Sequence, residues 1–478
     1  MSVAAAGPPP RTTWAPSDAV VGTALFVVAL LPRLWAAIKL AGEPVWDGHY
    51  YDFGARRIAQ GAGYSDDVTI AGHVVWHPWC HYPVGYSAIL APFYRVLGAD
   101  AHVAPVFNAF TGAALAVVTW ALASHALSPA RARIAGLLVA LHPGLILYSA
   151  LVMTEPLAAL LTLTAFWLAV RDDVPYRGLA LGALVLGVGA LVRPQALLCA
   201  PFLGLILPRR RLGGAVLAMA APCLLALLPV LPWTARNCRV MDGCALVSTN
   251  AGWNLAIGAF PRATGRFETL KASDGCRDVT GQVQQDRCWF TYGVEQIEAS
   301  TSRWLGLMPV KLGYTFDHES FAVEYLREAR PGDWPEGRRV AVRALTTLVE
   351  RLFVCAAALG VVALVRPARA GSKRRAWSVG SVVQGALLVL VLGLFARAAS
   401  EPPAFWPLVL LVSVVPWLPL PGRAAWPPAL KLPVALLATT VVTHAVFFGE
   451  DRYHMVVVPV FALLAAAVAR APARVSAP

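Results

Sequence analysis

The sequence predicts an all-α polytopic membrane protein, a bundle of about twelve (roughly 11–13) transmembrane helices with two elaborated extracytoplasmic loops that contain interfacial helices. Three observations carry this. Of 478 residues, 58% are hydrophobic and only 14% charged, whereas a soluble domain averages about 45–50% and about 25%. Apolar runs of membrane-spanning length recur along nearly the whole chain, so a single anchor does not account for them. Between the runs, Lys and Arg collect in short clusters, the pattern of loops retained on the cytoplasmic side. Disorder, collagen-like repeats and a small disulfide scaffold are excluded by the same composition. The net charge of +13 belongs to those clusters and does not point to nucleic acid.

Reading from the N-terminus, residues 1–18 form a cytoplasmic tail rich in Ala and Pro, without a small-residue cleavage site. Spans are expected near 19–40, 103–127, 133–150, 155–170, 177–192, 195–208 and 212–232, which form an N-terminal module over 19–232. A second module over 341–470 holds spans near 341–365, 377–397, 403–420, 429–448 and 455–470, and 471–478 is a cytoplasmic tail. With the N-terminus inside, the inner loops hold Arg131, Arg133, Arg171, Arg177, Arg209, Arg210, Arg211, Arg366, Arg369, Lys373, Arg374, Arg375, Arg470 and Arg474. The short outer loops hold Arg193, Arg397 and Arg452. Inversion would break the positive-inside rule at nearly every loop.

Two long segments then lie outside, 41–102 and 233–340, and chemistry is expected on that face. Cys199, Cys223 and Cys355 fall in spans and read as small buried apolar residues. Cys238, Cys244, Cys276 and Cys288 share the second loop. An even set in an oxidising compartment suggests two disulfides. Of the three pairings open to four cysteines, the local one, Cys238–Cys244 with Cys276–Cys288, is expected.

The first loop opens EPVWDGHYYDFGARRIAQGAGY, Glu43 to Tyr64, with Asp47 just after the first span and before a short interfacial helix. Asp47 either caps that helix or presents a carboxylate to a cavity at the membrane surface. In SALVMTEPLAALLTLTAF, Ser149 to Phe166, Thr154 has the character of an N-cap, with Glu155 and Pro156 favoured in a first turn. A carboxylate buried near the outer boundary is also expensive and therefore a functional candidate. Arg193 in LVRPQALL, Arg236 in PWTARN and Arg452 in FGEDRYHMVVVPVFALL all lie on the outer side. Each is an interfacial anchor or part of a bidentate phosphate site. His77 and His81 with a carboxylate are candidate ligands for a divalent metal ion, or surface hydrogen-bonding groups. Tyr64, Trp76, Trp79 and Tyr82 stack against sugar or sit in the interfacial belt.

In this order, the acid after the first span, HYPVGY, TEPL, LVRP, STNAGWNL and EDRYH resemble a membrane glycosyltransferase of the GT-C class that uses a polyprenyl phosphate carrier. The likeness is to bacterial members of glycosyltransferase family 39, related to the protein O-mannosyltransferases and to the ArnT-like lipid A aminoarabinose transferases. It covers nearly the whole chain. The resemblance implies Asp47 as the catalytic acid of the first loop and Glu155 as its partner at the fourth span. It maps the family's [KY]-P-P-x-G-Y segment onto His81, Tyr82, Pro83, Gly85 and Tyr86. Two departures stand out: Gly48 replaces the second of two adjacent acids found in many relatives, and Cys80-His81-Tyr82 replaces the usual Lys or Tyr context.

The implied enzyme is a hexosyl- or pentosyltransferase of the bacterial inner membrane with a periplasmic site. Its donor would be a polyprenyl-phosphate sugar and its acceptor lipid A, another glycolipid, a glycan or a protein. Asp47 would act as base, Glu155 would orient the acceptor or a divalent ion, and Arg193, Arg236, Arg452, His81, Tyr82 and Tyr86 would hold the carrier phosphate or substrate. The residues that could serve a metal are Asp47, Glu155, His77 and His81. A transporter or lipid-linked-sugar flippase is the main alternative, although no repeat relates the two halves. An O-antigen ligase or polymerase would share the carrier but not the first-loop pattern.

Overall fold

The computed structural model describes residues 16–172, 174–207, 212–365, 379–400, 402–420 and 425–469. Arg209, Arg210, Arg211, Arg366, Arg369, Lys373, Arg374, Arg375, Arg470, Arg474 and the tail residues 1–15 and 471–478 lie outside the described residues, as does most of the basic signal for orientation, and residues 16–18, expected in the tail, begin α1.

The chain is a polytopic helical membrane protein. It begins with α1 (Pro16–Lys39), then α2 (Asp47–Ala59), strands β1 (Ser65–Ile70) and β2 (His73–Pro78), and α3 (Gly85–Leu97). The bundle continues with α4 (Val103–Ala123), α5 (Pro129–Ala140), α6 (Pro143–Leu147), α7 (Glu155–Arg171), α8 (Pro175–Val192), a 3₁₀ segment Pro194–Ile206 and α9 (Leu212–Leu227). The segment after α9 contributes α10 (Leu231–Val240), α11 (Ala251–Ala259), α12 (Gln282–Ala299), α13 (Thr301–Phe316) and α14 (Phe321–Ala329). The rest is α15 (Glu336–Leu364), α16 (Val379–Ala398), α17 (Trp406–Val414), α18 (Pro428–Val446), a 3₁₀ turn Asp451–Val456 and α19 (Val458–Ala465). Within the described residues, each apolar run expected to span overlaps an α- or 3₁₀-helix. Six of these helices are long and apolar enough to cross a membrane on their own, or eight if the bent pairs at α5–α6 (50°) and α9–α10 (54°) each count as one. Three more are shorter apolar segments, Pro194–Ile206, Trp406–Trp417 and Val458–Val468. The difference from about twelve lies in these short and broken pieces, where Pro143, Pro194, Pro201 and Pro416 interrupt regular α-hydrogen bonding, and in α7, which is 17 residues long.

Small residues let the helices meet closely, as expected where van der Waals packing drives association. On α15, a Cβ at Gly360 would come within 1.9 Å of the Leu464 carbonyl oxygen. Gly360→Ala should therefore separate α15 from α19 and cost about 1–3 kcal/mol, read as a lower thermal-unfolding midpoint of the purified protein. A melting curve identical to wild type would contradict this packing.

Arg33 is fully buried inside the bundle. Its guanidinium donates to the carbonyls of Ala140 at 2.6 Å and Val139 at 2.8 Å, at the C-terminal end of α5, where carbonyls run short of helical donors. The charge also favours the negative end of the α5 dipole.

The β1–β2 hairpin is the one departure from an all-helical chain among the described residues. Its antiparallel register pairs Val68 with Val75 and Asp66 with His77, and the turn residues Ala71 and Gly72 both take positive φ, 51° and 83°. β-branched residues on both sides of a two-residue left-handed turn favour a hairpin over a helix. In the stretch from α10 to α12, Cys238 is bonded to Cys244 and Cys276 to Cys288, the pairing expected.

Candidate active site

Asp47 is positioned by the segment that joins α1 to α2. Trp46 takes φ 50°, an uncommon value for a bulky residue, and such outliers persist only where surrounding structure fixes them. The Trp46 ring packs 5.5 Å from Phe321 and edge-on to Tyr325 at 5.8 Å. The Val45 N–H donates to the Tyr325 hydroxyl at 3.2 Å. Next to it, Gly48 has no room for a side chain, since a Cβ would lie 2.2 Å from that hydroxyl oxygen. Helix α14 thus fixes the start of α2, and the same contact accounts for Gly48.

Asp47 does not cap α2: the N-cap is Trp46, and no side-chain cap bond forms. Its carboxylate accepts instead from the Tyr82 hydroxyl at 2.7 Å and from the Arg452 guanidinium. Burial raises the Asp47 carboxyl, but the Arg452 charge, the hydrogen bonds from Tyr82 and Arg452, and the Arg193 charge outweigh it. The net effect holds Asp47 below the usual carboxylate range, and it is ionised at neutral pH.

Thr154, similarly, is not a side-chain cap of α7. Its hydroxyl accepts from Arg193 Nε at 2.9 Å, and Arg193 Nη2 reaches the fully buried Glu155 at 2.5 Å. The two arginines flank one ring. Arg193 lies 5.4 Å and Arg452 4.8 Å from the Tyr453 ring centre, and His444 stacks on that ring at 4.0 Å. Arg452 also lies 2.8 Å from Glu450 and donates to the Tyr453 hydroxyl at 3.0 Å. The arrangement is a pair of acid–arginine couples, Asp47–Arg452 and Glu155–Arg193, joined through Tyr453.

Tyr50, Trp79 and Tyr82 form an aromatic wall beside Asp47. Tyr50 stacks on Tyr82 at 5.1 Å, and Trp79 lies 5.6 Å from Tyr50 and 5.7 Å from Tyr82. His81 sits edge-on to Trp253 at 5.8 Å. Burial holds the His81 imidazole below its ordinary value, with the Asp47 charge partly opposing. His81 is therefore neutral at pH 7.

Two residues expected to touch the carrier are bonded within the protein. Arg236 donates to the Trp79 carbonyl at 3.0 Å and the Tyr64 carbonyl at 2.6 Å. It pins the hairpin to α10 and also donates to Asn237 Oδ1 at 3.1 Å. Tyr86 is fully buried, with its hydroxyl on Asn108 Oδ1 at 3.1 Å. The segment turns inward at Gly85, where a Cβ would meet the Leu191 backbone at 2.5 Å. Tyr64 is buried too, and Trp76 donates to the Ala62 carbonyl at 2.9 Å.

The metal candidates do not form a ligand set. Among the described residues no group of three or more His, Cys, Asp or Glu side chains is placed to hold an ion. Asp47 and Glu155 are each engaged by arginine, and His77 sits in β2 across from Asp66.

Sequence reasoning missed a second polar group beneath the site, formed by His142, Glu319, Glu350 and His454, each at most 1% exposed. The available signal was Glu350 itself, an acid in the middle of an apolar span.

No family model and no curated protein sequence matches the chain. Among solved structures, it is similar to the archaeal oligosaccharyltransferase AglB from Archaeoglobus fulgidus in complex with an inhibitory peptide and a dolichol-phosphate, with a TM-score of 0.45 and 12% identity over 95% of this chain and 50% of that one. The apo form of the Archaeoglobus fulgidus oligosaccharyltransferase gives a TM-score of 0.39 and 13% identity, over 89% and 50%. The form tethered to an acceptor peptide gives 0.38 and 12%, over 95% and 55%. The chain spans about half the length of these proteins.

Proposed function

We propose that this chain is a membrane glycosyltransferase of the bacterial plasma membrane that moves a sugar from a polyprenyl-phosphate carrier to an acceptor on the extracytoplasmic face. The observation that carries the reading is Asp47, at the outer end of the first span, held by Tyr82 and Arg452 beside the Glu155–Arg193 couple. The order of motifs in the sequence supports the same reading.

In this mechanism the acceptor hydroxyl attacks the anomeric carbon in a single displacement that inverts it. Asp47 takes the hydroxyl proton as the new C–O bond forms. The bond from the anomeric carbon to the phosphate oxygen breaks, and the electron pair leaves on the carrier phosphate. That group needs charge stabilisation and no proton, so one carboxylate base suffices, unlike the two of a glycoside hydrolase. Arg452 and Arg193 are the cations within the site, and both are bonded to carboxylates before any donor arrives. Exchange of Arg452 from Asp47 to the phosphate would do two things together. It would hold the leaving group in a charge-assisted hydrogen bond, and it would remove the partner that depresses the basicity of Asp47. Glu155 stays buried and orients Arg193. The Tyr50–Trp79–Tyr82 wall offers apolar ring faces to the sugar. The metal-candidate residues do not fit together around an ion, and no step is drawn through one.

The acceptor is lipid A, another glycolipid, a glycan or a protein. Mass spectrometry of glycolipids and glycoproteins from cells with and without the gene should show one glycoform lost in its absence. Identical profiles in both compartments, lipid and protein, would count against the reading.

A further inference from the structure

Beneath the site, four ionisable side chains from four elements converge away from solvent. His142 lies at the α5–α6 bend, Glu319 follows α13, Glu350 is in the middle of α15, and His454 is in the Asp451–Val456 turn. His454 Nε2 is 3.0 Å from Glu319 and 3.6 Å from Glu350, and His142 Nε2 is 3.5 Å from Glu350. The other ring nitrogens decide the proton positions. His142 Nδ1 accepts from the Leu145 N–H at 3.3 Å, so its own proton is on Nε2, facing Glu350. His454 Nδ1 is 2.7 Å from the Thr315 carbonyl oxygen and must donate there. A proton on Nε2 as well, facing two carboxylates, makes His454 an imidazolium.

The count of charges is then uneven. One cation faces two carboxylates in a site closed to water, and a third charge without a partner is costly there. A single further proton on one carboxylate removes the imbalance.

This group is joined to Arg452 from both sides. His454 is two residues along the same turn. Asp451, on the other side, accepts from the Ser320 N–H at 2.5 Å, the Ser320 hydroxyl at 2.8 Å and the Phe321 N–H at 2.9 Å. It thereby bonds the segment that carries Glu319 to the turn that carries Arg452.

We propose that His454 and Glu319 are positioning residues for Arg452, and that their buried chain with Glu350 and His142 holds one extra proton whose loss loosens the arginine's hold on the carrier phosphate. The proposal rests on the reading of Arg452 as a phosphate ligand. Burial pushes the Glu319 carboxyl up to about 7, with the His454 contact opposing and the Asp451 and Glu350 charges assisting. Glu319 is the member that gives up its proton first. Once ionised, its charge stands beside Asp451 and repels it at the joint that holds the turn.

The groups facing the chain come from every neighbouring element. They are Glu350, Arg343, Arg351, Thr346 and Thr347 of α15, His142 with Arg33 behind it, Tyr148, Asp451 and Arg452 of the turn, and His318 beside Glu319. His318 is held below its ordinary imidazole value, first by burial, and is neutral above pH 7.

The sign follows from linkage. A carboxyl raised in the folded chain costs nothing below its unfolded value, weakens folding as pH rises from about 5 to 7, and leaves stability lower above that. Glu319→Gln stays neutral and should abolish this decline.

The test uses the full chain in phospholipid nanodiscs, with polyprenyl phosphate itself as the probe. Comparing two proteins with one ligand cancels the titration of that ligand. The Kd of wild type relative to Glu319→Gln should be near one at pH 6 and rise about tenfold by pH 8, since about nine-tenths of Glu319 is then ionised. Parallel curves would overturn the proposal. If Glu319→Gln does not fold, the wild-type melting profile decides: a Tm unchanged from pH 5 to 8 overturns it, and a fall over that range supports it. His454→Gln, which is never charged, should bind weakly at every pH; wild-type affinity in it would also overturn the positioning role. Failure of every protein to bind polyprenyl phosphate would sink the donor reading, and the melting profile would still decide whether the proton is held.

Discussion

Asp47→Asn should lower sugar transfer by a factor of about a hundred or more, the contribution of a positioned general base, while binding of the carrier survives. The substitution keeps the size of the side chain and its ability to accept from Tyr82. It removes the charge that pairs with Arg452 and the site that receives the acceptor proton. Because the carboxylate is not a helix cap, the near-equivalence of Asp and Asn as caps offers no protection. Kd for polyprenyl phosphate should hold or improve, since Arg452 is released from its intramolecular partner. Near-normal turnover in Asp47→Asn, with folding verified by melting temperature, would remove Asp47 from the role of base.

The second large effect is expected at Arg452. Arg452→Ala leaves Asp47 without its cation, and Glu450 loses the neighbouring charge. Its carboxyl is raised, first by burial, with Arg452 opposing. Loss of a charge-assisted phosphate contact should raise KM for the donor by about tenfold to a hundredfold, equivalent to about 1.5–3 kcal/mol. The Asp47 carboxyl should also rise towards its ordinary value, and the acid limb of the pH–rate profile should move up with it. Arg452→Lys should recover part of the affinity through its charge but not the bidentate geometry. Unchanged donor KM in Arg452→Ala would assign the arginine to structure alone.

Much of the fold was legible because lipid imposes a simple rule: apolar runs must be helices. Within the described residues each expected run overlaps helix, yet breaks at Pro143 and Pro194 mean that composition alone does not give the number of crossings. The hairpin was not read because its strands carry Asp66, Asp67, His73 and His77 among the β-branched residues, and the loop looked like a polar connection. At the site, Asp47, Glu155, Arg193, Arg452 and Tyr82 were all identifiable by type and position, but their pairing was not. Nothing in the spacing of Thr154 and Arg193 reveals that the hydroxyl serves the arginine. Arg236 shows the opposite case, an arginine read as a phosphate candidate that bonds two backbone carbonyls and Asn237. The His142–Glu319–Glu350–His454 group draws on four distant segments, and only tertiary structure brings them together.

The most direct test of the central claim is transfer by the purified chain from a polyprenyl-phosphate sugar to an extracted acceptor fraction, run beside Asp47→Asn and a proteoliposome flux assay. The account predicts labelled acceptor with wild type, a signal at least about a hundredfold lower with Asp47→Asn, and no substrate flux. Substrate flux through the proteoliposomes, without transfer from any carrier tried, would contradict it and identify a transporter.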